Sequence, residues 1–94
     1  MFTKGLVLSR AEFRSLATDL FEVLKTYIED LETEEDVEKH LEVEFETLLQ
    51  EENVDMIVVI EQDGKAIELY DSPEFVRYFK SIYGKNLLDM IREG

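Results

Sequence analysis

The sequence predicts an α+β fold, with helices packed on one small antiparallel hairpin in the order α-α-β-β-α-α. Three observations carry that expectation. A helix-start signature at Ser9 opens a long stretch of apolar residues at helical spacing. Two apolar runs flank Asp63-Gly64, a dipeptide suited to a tight strand turn. Ser72-Pro73 then opens a further stretch of helical spacing. With 94 residues and no repeat, low-complexity tract or linker, residues 1–94 are expected to form a single acidic domain.

Ser9-Arg10-Ala11-Glu12 is a capping box, in which the Ser hydroxyl and the Glu carboxylate each satisfy a free backbone donor. Leu8 and Phe13 are placed as its hydrophobic staple. Phe13, Leu16, Ala17, Leu20, Leu24, Tyr27, Ile28 and Leu31 then keep one helical stripe. Thr33 and Asp36 form a second capping pair, with acids in the first turn where the helix dipole favours them. Val37, Leu41, Phe45, Leu48 and Leu49 continue on one helical side. Within this segment Leu41-Glu42-Val43-Glu44-Phe45-Glu46 alternates strictly between apolar and acidic residues, so a third strand over Leu41–Leu48 is the alternative. As a helix, the segment turns Val43 away from the core.

The hairpin is expected over residues 54–70. A two-residue turn at Asp63-Gly64 pairs Gln62 with Lys65, Ile60 with Ile67 and Val58 with Leu69. That register puts Met56, Val58, Ile60, Ile67 and Leu69 on one apolar face. After Ser72 as cap and Pro73 at the first helical position, Phe75, Phe79, Ile82 and Tyr83 form the next stripe. Gly84 is placed to end that helix, and Asn86 to cap a last short turn with Leu87, Leu88, Met90 and Ile91.

Charge is distributed unevenly along these elements. Residues 1–25 sum to +1, residues 26–74 to −16 and residues 75–94 to +2, giving the net −13. The stretch Glu29–Glu52 holds twelve acids answered only by Lys39. An ordinary surface helix intersperses lysines at i+4, and their near absence here leaves repulsion that costs stability. Such a field repels nucleic acid and anionic membrane and attracts basic surfaces.

The leading expectation is therefore a non-catalytic interaction module, an adaptor or inhibitor, binding a basic protein partner through Glu34, Glu35, Glu38, Glu42 and Glu46. Such a row of carboxylates could also mimic a nucleic-acid backbone. Two alternatives remain. Helices followed by a hairpin resemble winged-helix modules, and Arg10, Arg14, Arg77, Lys80 and Lys85 are the groups a DNA-binding regulator would use. Nucleic acid is nonetheless the disfavoured partner, because the acidic helix and the hairpin oppose phosphate. The other alternative is a structural homo-oligomer subunit. Phe2, Leu6, Val7, Tyr78, Leu87 and Met90 exceed what one small core can hide, which suggests a homodimer.

Catalysis is not expected. There is no cysteine, one histidine (His40) and four isolated glycines, which excludes thiolate sites, a histidine-rich metal centre and a glycine-rich phosphate loop. Ser9, Thr33 and Ser72 are already committed as caps. The acids lack the loop pattern of a calcium site, so no metal or cofactor is expected. The longest apolar run, Met56–Ile60, is too short to span a bilayer. A cysteine-free chain of this size fits a reducing cytoplasm. Glu outnumbers Asp sixteen to seven while amides and loop-breakers are few, a composition suited to a hot environment.

Overall fold

In the computed structural model, which describes residues 4–93, the first element is a strand that the sequence reading lacks, β1 (Gly5–Ser9). Ser9 ends β1 and at once caps α1 (Arg10–Lys25). Its hydroxyl accepts the Glu12 N–H at 3.0 Å while the Glu12 carboxylate accepts the Ser9 N–H at 2.9 Å. The apolar stripe expected to run to Leu31 as one helix is broken after Lys25. A single 3-10 turn, Ile28–Asp30, brings Ile28 and Leu31 back onto the core.

Thr33 and Asp36 make the second capping box and open α2 (Glu34–Glu52). The third-strand alternative for Leu41–Leu48 is overturned, because this stretch is helical throughout. Val37, Leu41 and Phe45 are fully buried whereas Val43 is 62% exposed, a pattern that follows a period of 3.6 and not of 2. Asn53 closes α2 in the left-handed region at φ +54°, and the Val54 N–H donates back to the Leu49 carbonyl at 3.0 Å.

The sheet has three strands, ordered β1, β2 (Met56–Ile60), β3 (Ala66–Leu69), in place of the expected two. β1 runs parallel to β2, so α1 and α2 form the crossover between them, and β2 and β3 form the expected hairpin. The hairpin register differs by one residue from the expected pairing. Ile60 lies opposite Ala66, Val59 opposite Ile67 and Ile57 opposite Leu69. The Glu61 N–H donates to the Lys65 carbonyl at 2.8 Å, leaving a three-residue loop, Gln62-Asp63-Gly64, with Gly64 at φ +89°. Gly64 thus serves a three-residue turn rather than a two-residue one.

A one-residue slip exchanges the two faces of a strand. Ile57, Val59 and Leu69 point into the core, with Leu6, Leu8 and Ile67 packed against it. Val58 and Ile60 point the other way, beside Val7, Ala66 and Glu68.

α3 (Ser72–Tyr83) is capped by Asp71 rather than Ser72, through an Asp71–Glu74 box, so Ser72 and Pro73 lie in its first turn. Gly84 ends it at φ +94°, and α4 (Leu87–Glu93) follows. All the helices pack on one side of the sheet. Phe13 of α1 sits at the centre, with its ring 6.0 Å from Phe75 and 5.0 Å from Tyr78 in edge-to-face contact. Phe45 of α2 stacks on Phe75 at 4.9 Å. These rings tie three helices to one another and supply much of the buried apolar bulk.

Candidate interaction surface

The five acids singled out in the sequence lie on α2 but divide into two groups. Glu34 is turned inward, and its two carboxylate oxygens accept the Leu88 N–H at 3.0 and 3.1 Å, capping the start of α4. Glu38 pairs with Lys80 of α3 at 3.1 Å, both groups being partly covered. These two carboxylates brace the fold. Glu35, Glu42 and Glu46 are different: Glu35 and Glu46 are exposed, Glu42 is half-buried, and Lys39 approaches Glu35 at 3.7 Å.

Helical spacing places Glu35, Lys39, Val43 and Glu46 along one solvent-facing stripe, with Glu42 at its border. Val43 is the most exposed large apolar side chain among the described residues. Its exposure is legible in the sequence once α2 is a helix, because it falls opposite Leu41 and Phe45. What the sequence does not show is that Glu34 and Glu38 are withdrawn from the surface by α3 and α4.

His40 is half-buried and stacks on Tyr27 at 5.2 Å with the rings inclined by 28°. This places an aromatic pair beside the acidic stripe. Asp36 is held below its ordinary value by hydrogen bonds from the backbone of Glu32 and Thr33. Glu12 is lowered in the same way by Ser9. Both carboxylates are bound into helix starts and take no part in the stripe.

The basic residues occupy separate places. Arg10 donates to Glu61 at 2.6 Å, and the same carboxylate accepts the Tyr78 hydroxyl at 3.1 Å. Burial, followed by the Glu61 hydrogen bond, pushes the Tyr78 phenol up to about 12. The Arg14 guanidinium lies 6.0 Å from the centre of the Tyr83 ring. Lys80 is engaged by Glu38, while Arg77 and Lys85 are exposed. A cavity of about 520 Å³ opens at the carboxyl ends of β1 and β2, lined by Ser9, Arg10, Ala11, Arg14, Ile60, Glu61 and Gln62. The Arg10–Glu61 pair in its wall balances its own charge. The sequence holds no local signal for this network, because its members lie 17 and 51 residues apart.

Among the described residues, no group of three or more His, Asp or Glu side chains is gathered to hold a metal ion. No described helix is long and apolar enough to cross a membrane. Comparison with family models, curated proteins and solved structures finds no match to this chain.

Proposed function

We propose that this chain is a non-catalytic protein–protein interaction module, an adaptor or inhibitor, in which the outer face of α2 receives a basic partner. The observation that carries the proposal is Val43, 62% exposed on a helix face whose charged neighbours are mostly acids. An apolar side chain left in water gains free energy when a partner covers it. Carboxylates around it raise the local concentration of a basic surface before contact is made. Glu35, Glu42 and Glu46 serve as the steering groups, with Val43 as the anchor. Lys39, beside Glu35, sets where the partner's cations cannot sit.

Charge pairs of this kind govern the rate of encounter more than the final affinity, whereas a buried apolar anchor governs the lifetime of the complex. The test is kinetic. For a basic protein captured at low salt, the association rate is expected to fall at least about 10-fold when ionic strength is raised tenfold. Val43→Ser is expected to speed dissociation with little change in association. An association rate indifferent to salt would overturn the proposal.

A further inference from the structure

We propose, resting on the reading of α2 as the docking face, that the Tyr27 ring backed by His40 seats an arginine side chain of the basic partner. Tyr27 lies between α1 and α2, at the start of the 3-10 turn. It is 45% exposed although its ring stacks on His40, whereas Leu24 and Leu31 on either side of it in the chain are buried. His40 covers one side of the ring and holds it in place. The face of an aromatic ring carries negative potential and attracts a cation set over it.

Carboxylates flank the pair. Glu29 and Asp30 follow Tyr27 in the 3-10 turn and are exposed, and Glu44 lies at i+4 from His40. Asp36, one turn before His40, is committed to the Glu32 and Thr33 N–H groups. The cations nearest in sequence have carboxylates of their own: Lys25 pairs with Glu22 at 3.3 Å and Lys39 approaches Glu35 at 3.7 Å. Charge complementarity therefore asks for a cation from outside the chain, and shape chooses which. A guanidinium is planar and weakly hydrated, so it can lay its face on a ring while its edge donates to carboxylates. An ammonium is a compact, strongly hydrated charge and gains less from the ring. Val43 lies at i+3 from His40, so the ring pair and the apolar anchor are neighbours on α2. A basic segment carrying an arginine beside an apolar residue fits both.

The test is an NMR titration of the full chain, at low salt and about pH 8, with a short acetylated and amidated peptide of arginine, leucine and alanine. A second titration uses the same peptide with every arginine replaced by lysine. The Val43 methyl signals are expected to shift with both peptides, and the Tyr27 and His40 ring signals most strongly with the arginine one. The arginine peptide is expected to bind about 3-fold tighter or more. In Tyr27→Leu, checked for folding by circular dichroism, the two peptides are expected to bind equally. Val43 shifts without movement of the two rings, or a wild-type chain indifferent to arginine against lysine, would overturn the arginine seat and leave α2 as the docking face. A preference for arginine that persists in Tyr27→Leu would overturn the seat as well. No shift anywhere on α2 would overturn both the seat and the docking face.

Discussion

Glu34 and Glu38 show how a side chain's role depends on what the fold brings to it. In the sequence they are two members of an acidic run, yet in the structure Glu34 is the cap of α4 and Glu38 the partner of Lys80. Glu34→Ala is expected to cost about 1 kcal/mol, the usual worth of a helix cap, and to speed amide exchange in Leu87–Glu93 ahead of the rest of the chain. Uniform exchange across the helices would contradict that role. Tyr78 gives a pH signature. Its phenol is raised from an ordinary value of 10.0 to about 12, so the unfolded chain loses this proton first as pH rises. The contribution to stability is full below pH 10.0 and lost as pH climbs toward about 12. Denaturant titrations at stepped pH should show a shallower alkaline decline in Tyr78→Phe than in the wild type. Gly64→Ala leaves open space around the new methyl group but forces φ +89° on a residue that resists it. A loss of about 1 kcal/mol is expected from that backbone term alone.

At the scale of elements, the helices were legible because their signals are local. Ser9–Glu12 and Thr33–Asp36 are complete capping boxes within four residues each, and the structure forms both. The ambiguity at Leu41–Leu48 arose because alternating Glu and apolar residues fit both periods; burial of Leu41 and Phe45 on the Phe75 side settles it. Leu41→Ala is therefore expected to cost about 2–5 kcal/mol and Val43→Ala at most about 0.5 kcal/mol by urea unfolding. Comparable losses at the two sites would contradict a helix with Val43 outward. β1 was not legible for a physical reason. Its five residues form a strand only by pairing with Met56–Ile60, some fifty residues away, and that distance leaves no trace in local pattern. The hairpin was found and its register missed, since Asp63-Gly64 suits both a two-residue and a three-residue loop. That slip exchanged the strand faces and concealed the open apolar face beside Val7. The cap of α3 shifted similarly, from Ser72 to the equally suitable Asp71.

For the whole molecule, the acidic stretch was plain in the sequence, but its division into bracing and outward carboxylates depends on packing by α3 and α4. The net charge of −13 concentrates on α2, where Lys39 is the one Lys or Arg. Self-repulsion there opposes folding and is screened by salt. Thermal unfolding should thus occur several degrees higher in moderate sodium chloride than at low ionic strength, and Glu42→Gln/Glu46→Gln should raise the low-salt midpoint while flattening its salt dependence. Stability that gains from neutralising those groups is what a surface retained for binding would show.

The most direct test of the central proposal is a low-salt pull-down read by mass spectrometry, comparing the wild-type chain with Glu35→Gln/Glu42→Gln/Glu46→Gln. Glu34 and Glu38 stay unchanged because they hold α4 and α3 in place. A basic protein retained by the wild type and lost by the variant is the expected result. Recovery of the same proteins by both chains would contradict it and move the binding surface away from α2.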